Sequence, residues 1–130
     1  MSDYKKNIFI KILSKGKLPS LPFDKIKEVV LGKKYQLSLV FVPEGISREL
    51  NKKYRGLNKT TNILSFPYGK EEGEIIINLK KVKKEAPIFG KNCKNFLGYL
   101  LIHGLLHLKG FSHGSIMEKK EEFFVKKFKL

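Results

Sequence analysis

A chain of 130 residues with one cysteine, Cys93, is long enough for a single domain with a sizeable core and cannot close an intrachain disulfide, which excludes a stapled secreted scaffold. Lysines and arginines number 27 against 12 aspartates and glutamates, a net charge of +15 that favours a polyanionic partner bound in a salt-dependent way. No segment has the length of a membrane span, and residues 1–6 lack the apolar run of a secretion signal, so a cytoplasmic, reducing setting is expected, with Cys93 a partly buried apolar side chain.

Residues 5–13 mix β-branched and polar residues and predict a strand. Pro19 and Pro22 break the chain before a helix that begins at Phe23, runs to Leu31 and is closed by Gly32. Residues 35–42, with the core Leu-Ser-Leu-Val-Phe-Val, form the most strand-like segment. Ser47 is a candidate N-cap for a helix running through Leu50 to Tyr54. Residues 63–66 and 74–78 predict short strands, joined across residues 67–73 with their two glycines by a hairpin connection.

A lysine-rich helical segment near 79–86 ends at Pro87, and a longer helix is expected from Asn92 to Leu108. Its Phe96, Leu97, Leu100, Leu101 and Leu105 make an apolar surface wide enough for a buried central helix. A last helix over 115–129 is expected to turn Ile116, Phe123, Phe124 and Phe128 to the core. Strands and helices without regular alternation indicate one α+β domain over residues 1–130, built on a small mixed sheet.

All three histidines fall within residues 103–113, as His103-Gly104-Leu-Leu-His107-Leu-Lys-Gly110-Phe-Ser112-His113. On a helix, His103 and His107 share one face a turn apart, and Gly110 can turn the chain so that His113 closes in. Three imidazoles around one ion leave a coordination position open, the arrangement of metals that do chemistry rather than hold a fold. The spacing coincides with the zinc-binding run of the metzincin proteases, which place a glutamate general base directly after the first histidine. Here that position is Gly104, which cannot accept a proton, so peptide hydrolysis by that route lacks its base.

A second segment, Leu50-Asn51-Lys-Lys-Tyr54-Arg55-Gly-Leu-Asn58-Lys-Thr-Thr61-Asn62-Ile-Leu-Ser65-Phe66-Pro67, joins a helix end to a strand through a polar loop. With the Gly73-Glu74-Ile75 strand start and the histidine run, it resembles the YbeY family of bacterial metal-dependent endoribonucleases that act in ribosomal RNA maturation. The resemblance implies His103, His107 and His113 as ligands of Zn²⁺ or a similar divalent ion, and Arg55 as the arginine near the metal. It also implies a central helix carrying two of the three ligands, and a single-strand-specific activity on 16S ribosomal RNA and in ribosome quality control. The chain departs from the family pattern at Ser112, where an aspartate usually precedes the third histidine, at Asn58, and at Glu74.

Ribosomal RNA and the small ribosomal subunit are then the expected partners, with no membrane. Self-repulsion of the lysines favours a monomer. Arg55 would stabilise charge on the scissile phosphate, its planar fork suiting two phosphate oxygens. Ser65, Thr61 and Asn62 are candidate hydrogen-bond donors to substrate, with strand-end and capping roles the alternative for each. Lys80 and Lys81 are candidate backbone contacts; Tyr54, Phe66, Tyr68 and Phe111 are candidate stacking surfaces for unpaired bases. Ser112 replaces only part of what an aspartate supplies beside a ligand. The rival functions are a metallohydrolase of another substrate such as peptide, and a non-catalytic ribosome assembly factor with a structural metal.

Overall fold

A computed structural model describes residues 7–130. The elements in chain order are β1 (Ile8–Ile12), α1 (Phe23–Leu31), β2 (Gln36–Phe41), α2 (Glu44–Arg55), β3 (Ile63–Gly69), β4 (Glu72–Ile77), α3 (Leu79–Glu85), a 3₁₀ turn (Ala86–Phe89), α4 (Cys93–Lys109) and α5 (Ser115–Lys127). The first expected strand is thus Ile8–Ile12, while residues 5 and 6 of that expectation lie outside the described residues.

The four strands form one mixed sheet in the order β1-β2-β4-β3, with β1, β2 and β4 parallel and β3 antiparallel to β4. The α+β class with a small mixed sheet is as expected. Alternation along the strands decides what each face carries. Leu37, Leu39, Phe41, Ile75 and Ile77, all fully buried, face the main core with Ile63, whereas Val40, Leu64 and Ile76 turn to the other face and meet Leu50 of α2 and Phe66.

Helix α4 fills the centre of the main core. Phe96, Leu97, Leu100, Leu101 and Leu105 are buried as expected, and so are Ile102, Leu106 and Leu108, so the helix is apolar on most of its circumference. Asn92 caps its start by accepting the Asn95 amide at 2.8 Å. Gly110, at φ 110°, ends it in the left-handed conformation that suits glycine, and the Phe111 amide returns to the Leu106 carbonyl at 3.1 Å. Lys109 reaches across to the last turn of α1, donating to the Val30 carbonyl at 3.0 Å.

Three local expectations are corrected. Ser47 is no N-cap: α2 starts at Glu44 behind an extended Pro43, and Ser47 lies inside the helix, buried. Its hydroxyl donates to the Thr61 carbonyl at 2.8 Å and accepts the Thr61 amide at 3.0 Å, a use that a polar residue on the inner face of a helix makes available. The hairpin is tighter than residues 67–73, because β3 continues to Gly69 and β4 begins at Glu72. Pro67 is tolerated there because β3 is an edge strand and the register shifts between Pro67 and Gly69. In α5 the inward stripe is Met117, Glu121, Phe124 and Phe128, with a carboxylate in an apolar position, whereas Ile116 and Phe123 are 67% and 62% exposed.

Candidate metal centre and its cleft

His103 and His107 project from the same face of α4, and the turn at Gly110 returns His113 to them, with ring centroids 4.6 Å, 5.2 Å and 4.8 Å apart across the three pairs. One nitrogen of each ring lies within 4.8 Å of those of the others, the only such group of potential ligands among the described residues. The outer nitrogens of the two helical histidines are committed elsewhere. His107 Nδ1 donates to the Phe111 carbonyl at 3.0 Å, and His103 Nδ1 pairs with the Glu121 carboxylate at 2.7 Å. That leaves the two Nε2 atoms for the site, and they face each other at 3.1 Å.

Two ring nitrogens at that separation are held by a shared proton or by a cation lying between them. Tetrahedral ligands about 2.0–2.1 Å from a zinc ion stand about 3.3 Å apart, so the donor set fits a divalent metal with two nitrogens already near their working separation. Burial, and then the neighbouring His103, lowers the pKa of His107, which favours the neutral form that binds metal.

The sequence pattern does not single out Glu121. This residue is 7% exposed on α5 and lies close to Tyr99, whose hydroxyl pKa is raised by burial and then by the charge of that carboxylate. The signal that could have found it is the 117/121/124/128 stripe, in which one glutamate occupies an otherwise apolar series. A carboxylate on the outer nitrogen fixes the tautomer and strengthens the ligand. Glu121→Ala is expected to weaken metal affinity about 10- to 100-fold while the three histidines remain, as read by competition with a chelating dye.

His103 and His113 open onto a 310 Å³ cleft whose other walls include Arg55, Asn62 and Phe89. A second hollow, also lined by Arg55 and Asn62, continues past them to Lys59, Lys81 and Glu85. The loop bearing Asn62 is tied to α2 by Ser47 and by Asn51, fully buried, whose side-chain amide donates to the Lys59 carbonyl at 2.9 Å. Arg55 stands at the end of the same helix, its guanidinium without an ion pair among the described residues. The Leu-Asn-x-x-Tyr-Arg motif thus joins an inward anchor, Asn51, to an outward cation, Arg55, one helical turn on.

The other residues predicted for the site separate into near and far. Asn62 lines both hollows and donates to Glu85 at 2.8 Å, and Lys81, 3.9 Å from Glu85, lines the second hollow. Lys80 points away, toward Glu44 at 3.7 Å, in a different hollow with Lys15 and Lys83. Ser112 is exposed in the loop next to His113. None of the four proposed stacking residues lines the cleft: Tyr54 packs on Phe66 at 4.9 Å, and Phe111 lies under Lys120 at 5.2 Å. Tyr68 donates to Glu74 at 2.8 Å, which pushes its hydroxyl pKa up to about 12.

Ser65 faces the helix. A Cβ at Gly104 would lie 2.9 Å from Ser65 Oγ and 2.9 Å from Ile63 Cδ1, so α4 rests directly on β3 where the metzincin run carries its glutamate. Gly104→Glu is expected to lower stability by about 3 kcal/mol or more through overpacking and an unpaired buried charge, without creating peptidase activity. A thermal melt and a casein assay check both halves.

Fold and site together define an α+β protein with three imidazoles gathered at an open cleft beside a free arginine. Residues 20–129 match the family Endoribonuclease YbeY, and the chain belongs to that family. It is 32% identical over 126 residues to Endoribonuclease YbeY of Petrotoga mobilis, covering 88% of this chain and 87% of that one. The protein of the same name from Mycoplasmopsis synoviae is 40% identical over 105 residues, 73% of this chain and 68% of its own. A solution structure from Thermotoga maritima superposes with a TM-score of 0.66 at 26% identity, covering 93% of this chain and 88% of the other.

Proposed function

We propose that this chain, read as one domain over residues 1–130, is a zinc-dependent endoribonuclease that cuts single-stranded RNA during maturation of 16S ribosomal RNA and in ribosome quality control. The observation that carries the proposal is the shared cleft of His103, His113 and Arg55 in a protein of this family. His103, His107 and His113 would hold the ion, with Glu121 orienting His103 and the Phe111 carbonyl orienting His107. When bound, a divalent zinc ion supplies Lewis acidity and lowers the pKa of water at its open position.

The chain's own groups do the rest. Arg55 binds the scissile phosphate through its guanidinium fork and stabilises charge as the bond breaks. Asn62, held by Glu85, lies on the strand's path between the two hollows, and Lys81 extends the cationic wall along the backbone. Lys80 and the lysines of α5 contribute through the general field rather than through the cleft. Ser65 acts on packing at Gly104, and Ser112, beside His113, is exposed to substrate or solvent.

The proposed partners are ribosomal RNA and the small ribosomal subunit, met as a monomer in the cytoplasm. A charge of +15 supports a polyanionic substrate, and among the described residues no helix is long and apolar enough to cross a membrane. Chelated protein reloaded with zinc should cut single-stranded ribosomal RNA fragments and leave casein intact. Casein cleavage without RNA cleavage would turn the assignment to a peptidase, and absence of both would leave an assembly factor.

A further inference from the structure

We propose that Phe89 is a stacking platform for one unpaired nucleobase, set at the rim of the metal cleft so that the strand entering it must be single. The inference rests on the endoribonuclease function proposed above and adds a subsite to it. Phe89 and its neighbour Ile88 are 57% and 77% exposed, adjacent large apolar side chains in a chain that buries most of its others.

The ring of Phe89 is fixed from behind. It stacks on Phe96 at 4.8 Å with 19° between the planes, and Phe96, 1% exposed, continues to Tyr99 at 6.3 Å and 12°. Tyr99 in turn lies 6.3 Å from the His103 ring, so a row of aromatic rings leads from the surface to the proposed metal ligand. With one face covered by Phe96, the exposed area of Phe89 belongs to its opposite face and edge.

The backbone beneath it is stiff. Pro87 sets the 3₁₀ turn Ala86–Phe89, Gly90 closes it at φ 66° with its amide on the Pro87 carbonyl at 3.0 Å, and the Lys91 amide returns to Ala86 at 3.0 Å. A preformed platform binds with little loss of conformational entropy.

The surroundings favour a nucleobase over an apolar protein side chain. Phe89 shares its cleft with Arg55, Asn62, His103 and His113, a polar and cationic lining that suits a phosphate-linked base and poorly suits a hydrophobic partner. Bases stack on aromatic rings whatever their identity, so the platform tolerates sequence, whereas a base inside a duplex has both faces covered and cannot use it. Phe89 would therefore select for unpaired strand rather than for a particular nucleotide.

The test is titration of a single-stranded RNA oligonucleotide carrying a fluorescent aminopurine with wild type, Phe89→Ala and Phe89→Trp, alongside steady-state cleavage by the zinc-loaded proteins. Wild type should quench the fluorophore by stacking. Phe89→Ala should lose the quench, bind about 5- to 150-fold more weakly and show that loss in KM rather than kcat, and Phe89→Trp should restore both. RNA cleavage by wild type with an unchanged quench and KM in Phe89→Ala overturns the platform and leaves the nuclease standing. Failure of wild type both to bind and to cut RNA overturns both. A changed self-association of Phe89→Ala with unaltered RNA binding assigns the patch to protein contact and likewise overturns the proposal.

Discussion

Replacing His107 by alanine is expected to reduce metal affinity by more than about 100-fold and RNA cleavage to background, because loss of a direct ligand exceeds the 10- to 100-fold cost of losing an outer partner. The effect is large because His107 is one corner of the three-ring cluster, 4.6 Å from the His103 ring and 4.8 Å from the His113 ring, with its Nε2 facing that of His103 at 3.1 Å. Removal of its ring also frees the Phe111 carbonyl, a small structural loss at the end of α4. Melting of the metal-free protein should accordingly change by a few degrees at most, which separates lost chemistry from lost fold. Cleavage that persists in well-folded His107→Ala would place the chemistry outside the histidine cluster.

Arg55→Ala should lower kcat/KM for single-stranded RNA by about 10²–10³-fold with metal content unchanged, the usual cost of deleting one group that stabilises transition-state charge. Arg55 is exposed, carries no ion pair among the described residues and lines both hollows, so its removal strands no buried partner. Arg55→Lys should restore only part of the loss, since an ammonium matches charge but not the two-oxygen fork. Metal analysis and steady-state kinetics on the same samples check the prediction; a drop in metal content with Arg55→Ala would give the arginine a structural role instead.

The parts of the molecule that were legible in the sequence are those governed by a period or by a rare residue type. Strand β2 is legible from its alternation, α4 from its apolar breadth between Asn92 and Gly110, and the histidine trio from its spacing about a helix end. Glu121 was hidden because its partner lies 18 residues away and the sequence around it is dense with charge, so one inward carboxylate does not stand out. In α5 Phe124 and Phe128 pack on the core as expected, whereas Ile116 and Phe123 face outward and Met117 and Glu121 take the inward places, because neighbouring residues on a helix stand roughly 100° apart and one apolar neighbour of a pair must lose.

Long-range polar pairing accounts for the other differences. Ser47 has the composition of a cap, and only the approach of the residue 59–61 loop makes it a buried clamp. Lys80 and Lys81 are adjacent and chemically alike, yet helix α3 sends one to Glu44 and the other to the hollow that continues from the cleft past Arg55 and Asn62. Gly104 first signified a missing base; in three dimensions it is also the point where helix and sheet touch. Phe89 was indistinguishable from core phenylalanines until the 3₁₀ turn placed it at the surface.

X-ray absorption at the zinc edge of the reconstituted protein tests the central claim most directly. Three imidazole nitrogens at about 2.0–2.1 Å from His103, His107 and His113, with one oxygen ligand from outside the protein completing the shell, are expected. A fit that needs sulfur at about 2.3 Å, or fewer than two imidazoles, would contradict a three-histidine centre.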